Sequence, residues 1–129
     1  MKPGGEVRII GGQWKRSKLP VANLPGLRPT PDRVRETLFN WLGQDMSGWH
    51  CADPFAGTGA LGFEAASRGA ASVLLGESSS HCIEVMQKNA ERLKATGIRL
   101  QRGDGLSMLR QQAPNSLHLV FLDPPYDFP

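Results

Sequence analysis

Apolar and polar positions follow two different patterns along the chain, and the change falls near residue 43. Ahead of it, the β-branched run Val7–Ile10 leads into Gly11-Gly12, and Gln13, Trp14, Lys15 and then Lys18–Val21 have extended-type composition. That pattern predicts an antiparallel hairpin turned at or near the two glycines, which accept positive φ without steric cost. Pro25, Gly26 and Pro29 mark 22–29 as a loop. Thr30-Pro31-Asp32 predicts a helix start: the threonine hydroxyl caps, proline suits the first helical position, and the aspartate complements the positive end of the dipole. Val34, Leu38, Trp41 and Leu42 recur at helical spacing and carry that helix to about Leu42, before Gly43.

Beyond a linker at 43–49, strands and helices alternate. Strands are expected at 50–55, 72–77, 98–103 and 117–123, and helices at about 60–68, 80–95 and 106–112. Repeated strand–helix–strand units of this kind fold as a parallel sheet with right-handed crossovers, the Rossmann-like α/β class. The run Leu117–Asp123 is apolar almost throughout, as in a strand covered on both faces. The expected organisation is a basic hairpin-plus-helix extension over 1–43 and an α/β core over 44–129.

Composition narrows the class of protein. With 129 residues, 40% hydrophobic and 21% charged, the chain suits one soluble domain and excludes a coiled coil or a collagen-like repeat. No apolar run approaches the roughly 20 residues that span a bilayer, and two cysteines are too few for a disulfide scaffold, so a cytoplasmic setting is expected. Charge is asymmetric. Residues 1–41 hold eight basic against three acidic side chains, a net +5, and residues 42–129 hold seven against nine, a net −2. A basic arm on a slightly acidic body suggests a polyanion held at one end with chemistry elsewhere.

The first candidate site is a glycine-rich turn. Gly57-Thr58-Gly59-Ala60-Leu61-Gly62 satisfies G-x-G-x-x-G between a strand and a helix, where a cofactor can approach the backbone and meet free N–H groups. Glu77 ends the next strand, where a carboxylate accepts both ribose hydroxyls. Nicotinamide, flavin and S-adenosylmethionine (SAM) sites all use such turns. Asp53 separates them: it stands where a dinucleotide would put its pyrophosphate, and two like charges a few ångströms apart cost several kcal/mol in a partly buried site. SAM has no phosphate and brings an amino group and a sulfonium, which a carboxylate favours. Asp53 also suits a strand-end turn, and Glu77 the start of the following helix. Asp104 can accept from an adenine amino group or cap the helix that follows it.

The second is Asp123-Pro124-Pro125-Tyr126. Two prolines lock the backbone and remove two N–H donors. The Asp123 carboxylate and the Pro124 carbonyl can each take one hydrogen of an exocyclic amino group, and Tyr126 offers a ring on which an extruded base stacks. A sharp turn after a buried strand is the plainer reading of the same residues. Neither Cys51 nor Cys82 lies near this tetrapeptide in sequence, which disfavours a thiolate nucleophile, and His50, His81 and His118 lack metal-ligand spacing, so no metal is expected.

Four blocks occur in order: Arg8-Ile9-Ile10-Gly11-Gly12-Gln13-Trp14, Leu27 to Leu42 with its Arg-Pro-Thr-Pro-Asp-Arg-Val-Arg-Glu core, Asp53 to Gly62, and Asp123 to Tyr126. From Val7 onward the chain closely resembles the bacterial SAM-dependent guanine-N2 methyltransferases of small-subunit (16S) ribosomal RNA. The Asp-Pro-Pro-Tyr block alone is broader and is shared with adenine-N6 enzymes. The resemblance implies a Rossmann-like methyltransferase fold and methyl transfer to the N2 amino group of one guanine in that RNA. It places Thr30, Asp53, Phe55, Gly57, Gly59, Glu77 and Asp104 around SAM, with Thr30-Pro31 at the methionine end, and Asp123, Pro124, Pro125 and Tyr126 around the guanine. The basic hairpin would grip RNA through Arg8, Lys15, Arg16 and Lys18, together with Arg33. Arg33 and Arg35 point to different faces of one helix, so one of them is expected to reach a phosphate. Ser78-Ser79-Ser80 departs from the family pattern, where an acid or asparagine is expected after Glu77. The resemblance also implies a longer protein, truncated here at its C-terminus with later strands missing. An adenine-N6 nucleic-acid methyltransferase and a non-catalytic SAM- or RNA-binding fragment are the alternatives, and a monomer is expected.

Overall fold

A computed structural model of the chain describes residues 5–24, 27 and 30–123. Two short strands, β1 (Glu6–Arg8) and β2 (Lys18–Pro20), precede helix α1 (Asp32–Leu42). The alternating region then runs β3 (His50–Asp53), α2 (Ala60–Ser67), β4 (Ser72–Glu77), α3 (Ser80–Leu93), β5 (Ile98–Arg102), α4 (Gly105–Arg110) and β6 (Leu119–Val120). β1 and β2 pair antiparallel, with Val7 opposite Leu19. The other four form a parallel sheet in the order β5-β4-β3-β6, giving the expected Rossmann-like α/β arrangement.

Alternation along β4 divides the layers. Val73 and Leu75 face α2, where Gly62 comes so close that an added Cβ would lie 2.2 Å from Leu75. Gly76 faces the other way, against Met108 of α4. The third glycine of the motif is therefore needed for helix–strand contact. Parallel strands joined by such crossovers bring Asp53, Glu77, Asp104 and Asp123 to one edge of the sheet, the edge where ligands bind in open α/β folds.

Several expectations change. The hairpin is not a tight turn at Gly11-Gly12: the ladder stops at Arg8 and Lys18, and residues 9–17 form a broad loop. The physical cause is α2, whose Glu64 takes the N–H groups of Ile10 and Gly11 and whose Ser67 takes that of Trp14. Trp14 is half-buried and packs against the core. Thr30 makes no side-chain cap, and Pro31 rather than Thr30 is the capping residue. The inward face of α1 is also rotated from the apolar stripe. Arg35 and Phe39 are fully buried, whereas Val34 is 53% and Trp41 83% exposed. Phe39 meets the Phe121 ring, centroids 5.9 Å apart, and carries the Arg68 guanidinium over its face at 4.9 Å. The last strand pairs over Leu119–Val120 only, half-buried, and Leu122 beyond it is 66% exposed, so the run is not covered on both faces among the described residues. No helix among the described residues is long and apolar enough to cross a membrane.

Candidate active site

Three carboxylates converge at the strand ends. Asp53 closes β3 and is 1% exposed. Its Oδ1 has no hydrogen-bond partner among the described residues. Burial is the main reason its carboxyl is pushed up to about 7; the negative charge of Asp123 adds to this, an N–H from the Phe55 backbone opposes it, and the charge of Glu77 adds a smaller push. A buried acid with an idle oxygen and like charges around it is an incomplete arrangement. It favours a cation or a hydrogen-bond donor brought from outside.

Glu77 ends β4 and holds the glycine turn in place. One of its oxygens accepts from Gly57 N at 3.0 Å and the other from Ser79 N at 2.8 Å. Ser79 in turn caps α3, accepting from Cys82 N at 3.2 Å. The serine run that departs from the family pattern therefore starts a helix, and each Glu77 oxygen accepts one recorded backbone N–H. Gly57 and Gly59 sit at φ +57° and +83°, a left-handed backbone that favours glycine in this turn. A Cβ on Gly59 would stand 2.8 Å from the Phe63 ring.

Asp104 is exposed and caps α4. It accepts from Ser107 Oγ at 2.9 Å and Ser107 N at 3.2 Å, with a longer contact from Leu106 N at 3.4 Å. These bonds, chiefly that from the Ser107 hydroxyl, hold its carboxyl below the usual range. The capping reading is thus realised, and the residue still lies on the ligand edge. Thr30 approaches by its backbone, its carbonyl accepting from Arg35 Nε at 3.2 Å. Phe55 is half-buried in the turn after Asp53. Asp123 is exposed, three residues beyond the strand that pairs with β3. Pro124, Pro125 and Tyr126 lie outside the described residues.

Of the basic residues expected to meet RNA, Arg8, Lys15, Arg16, Lys18 and Arg33 are exposed. Arg8 leans on Asp32 at 3.5 Å. Arg35, the alternative to Arg33, is fully buried and engaged inside the protein.

That engagement is the largest feature the sequence reading missed. Glu64, buried in the middle of α2, accepts from Ile10 N and Gly11 N at 2.9 Å, from Arg35 Nη1 at 3.1 Å and from Arg68 Nε at 3.0 Å. Arg35 also donates to the Arg8 carbonyl at 2.9 Å and pairs with Asp32. One carboxylate and two guanidiniums thereby clamp the hairpin loop, α1 and α2 together. A signal was present: Glu64 is the one charge in the otherwise apolar, small-residue helix Ala-Leu-Gly-Phe-Glu-Ala-Ala-Ser.

The family model described as "Conserved hypothetical protein 95" matches residues 7–129. The chain is 49% identical over 122 residues to ribosomal RNA small subunit methyltransferase D of Escherichia coli strain K12, covering 95% of this chain and 61% of that protein. It is 46% identical over 127 residues to the Haemophilus influenzae protein of the same name, covering 96% and 66%. The chain thus spans less than two-thirds of the length of these relatives. Among solved structures, a candidate methyltransferase of Escherichia coli, yhhF, superposes with a TM-score of 0.84 at 45% identity, covering 95% of this chain and 66% of that one. A Thermus protein of hypothetical status gives 0.82 at 31% identity, covering 95% and 71%. The fold is that of the Rossmann-like methyltransferases, and the chain belongs to the Conserved hypothetical protein 95 family.

Proposed function

We propose that this chain carries the SAM-binding and catalytic part of a cytoplasmic methyltransferase that modifies the exocyclic N2 amino group of a guanine in small-subunit ribosomal RNA. The observation that carries the reading is Asp53, whose buried Oδ1 lacks a partner among the described residues, beside a glycine turn and within reach of the charge of Asp123, three residues beyond β6. The residues present fit SAM: a buried anionic oxygen for its amino group, an open glycine turn for its backbone approach, and two Glu77 oxygens for its ribose hydroxyls. When bound, SAM supplies an electrophilic methyl group on a sulfonium.

Each remaining role falls to this chain. Asp53 orients the methionine end, with Thr30 and Phe55 beside it. Gly57 and Gly59 keep side chains out of the cofactor's path. Asp104, while capping α4, offers its outer face to the adenine amino group. Asp123 and the Pro124 carbonyl each accept one hydrogen of the guanine amino group and aim its nitrogen at the methyl carbon, while Tyr126 stacks on the base. With SAM bound, methylation would leave the guanine nitrogen one proton to lose, and Asp123 would be the group that accepts it. Arg8, Lys15, Arg16, Lys18 and Arg33 bind phosphates, so residues 1–43 serve the RNA and part of the cofactor, and 44–129 the chemistry, in a monomer. The relatives named ribosomal RNA small subunit methyltransferase D support the substrate class.

Transfer of tritiated methyl from SAM to protein-free or assembled small-subunit RNA tests this reading. Asp123→Ala is expected to lower transfer by about a hundredfold or more, with SAM affinity essentially retained. Loss of SAM binding in that variant removes the role given to Asp123. Labelling of DNA adenine in place of rRNA overturns the substrate, and SAM binding without turnover reduces the chain to a binding fragment.

A further inference from the structure

Leu27, in the segment between β2 and α1, lies against the glycine turn. A side chain built on Gly57 would stand 3.3 Å from Leu27 Cδ1, so Leu27 forms a wall beside the first glycine of the motif. A buried polar side chain holds each end of this segment. At its start, Asn89 of α3, 1% exposed, donates from Nδ2 to the Pro20 carbonyl at 2.9 Å. At its end, Arg35 of α1 donates from Nε to the Thr30 carbonyl at 3.2 Å. Between these anchors the described backbone bonds are few, Val21 N to Gly5 O at 3.0 Å and Leu27 N to Leu24 O at 3.2 Å.

We propose that Arg35 and Asn89 are positioning residues that set this wall against the glycine turn and thereby control cofactor affinity. Arg35 suits the task because its guanidinium donates in fixed directions to several acceptors at once. It reaches Thr30 O, Arg8 O, Glu64 and Asp32 together, which an ammonium group cannot do. The buried charge of Glu64 keeps it in place, so the same carboxylate that fastens the hairpin loop also fixes the wall. Asn89 is fully buried without a charge, and the described bond it makes goes to the segment's first carbonyl. The inference rests on the proposed function only in taking the occupant of the glycine turn to be SAM.

Calorimetric titration of the purified chain with SAM tests it, using Arg35→Lys, Asn89→Ala and Arg68→Lys. Arg68→Lys is the structural control: it weakens the same Glu64 network, but the other described neighbours of the Arg68 guanidinium are Gln44, Phe39 and Gly11, outside the segment. The dissociation constant for SAM is expected to rise about tenfold in Arg35→Lys and about fivefold in Asn89→Ala. In Arg68→Lys it is expected to stay within about twofold despite a lower Tm. In turnover assays the KM for SAM rises in the first two variants while kcat falls less than about threefold, because Asp123 is untouched. Unchanged SAM affinity in folded Arg35→Lys and Asn89→Ala overturns the inference, as does an equal loss in all three variants, which reports general softening. Should Arg35→Lys not fold, Asn89→Ala against Arg68→Lys decides alone. Failure of the unmutated chain to bind SAM removes the functional reading and this inference with it.

Discussion

Asp53 and Glu64 are both acids, both fully buried and close in sequence, yet their surroundings are opposite. Glu64 is met by two backbone N–H groups and two guanidiniums, so every direction of its carboxylate is answered from within the protein. Asp53 is met by an N–H from Phe55, faces Asp123 and Glu77, and keeps one oxygen idle. A buried charge completed by the protein is structure; one left incomplete awaits something from outside. The two acids also define the two regions of the molecule, a fastened base built on α2 and an open sheet edge.

The largest test of this contrast is stability. Removing one member of a buried ion pair leaves its partners charged and unpaired, so Glu64→Ala is expected to cost about 3–5 kcal/mol in chemical denaturation. That loss should be accompanied by detachment of the hairpin loop, visible as faster amide exchange at Ile10 and Gly11. Asp53→Ala removes an uncompensated charge and is expected to leave stability unchanged or raise it above pH 7. Comparable losses in both variants would remove the distinction.

Ligand binding reverses the ranking. Asp53→Asn is expected to weaken SAM by about thirtyfold, near 2 kcal/mol, the scale of one charge-assisted hydrogen bond. Acidity provides a finer measure of the same group. The folded carboxyl sits near 7 against 3.8 in the unfolded chain, so the empty protein holds this proton more tightly than its denatured form. The stabilisation it confers is fully present below pH 3.8 and is lost as pH rises toward 7. A cationic amino group prefers the ionised carboxylate, so SAM affinity runs the other way, strengthening about tenfold between roughly pH 5.5 and 7. Thermal melts and titrations across that window, with Asp53→Asn as the reference that flattens both, check the opposed slopes. Parallel slopes would place the SAM amino group elsewhere.

Much of the open edge was legible in the sequence, and little of the base was. The strand Ser72–Glu77 and the helix start at Ser80 coincide with their expected bounds, because periodicity and capping are local properties. The acids at the strand ends were legible for a related reason: parallel topology puts every strand's carboxyl end on one side. The Glu64 clamp joins residues more than fifty positions apart, and no local pattern encodes such a pairing. The same clamp sets the burial of α1. The apolar spacing located the helix, and Leu38 and Leu42 of that set pack against the core, but Val34 and Trp41 stay exposed because the α2 carboxylate draws Arg35 inward and brings Phe39 with it. The hairpin turn moved for this reason too, since Ile10 and Gly11 spend their N–H groups on Glu64 instead of on a strand partner.

Asp104 is intermediate between the two acids and gives the smallest effect. Its carboxylate is answered by Ser107 and Leu106, as Glu64 is answered by its partners, yet it is exposed on the same sheet edge as Asp53. As a cap alone, Asp104→Ala lowers stability modestly and costs nothing in SAM affinity. As a cap that also receives the adenine amino group, it costs that stability and weakens SAM by a further factor of about five, the net value of one hydrogen bond. Asp104→Ser separates the contributions, because a serine hydroxyl caps a helix nearly as well but reaches less far and carries no charge. Stability restored by serine while SAM affinity stays low assigns both roles to one carboxylate. Recovery of both by serine leaves Asp104 a helix cap and moves recognition of the adenine to the backbone around Gly103, whose N–H is already held by the Glu77 carbonyl at 3.0 Å.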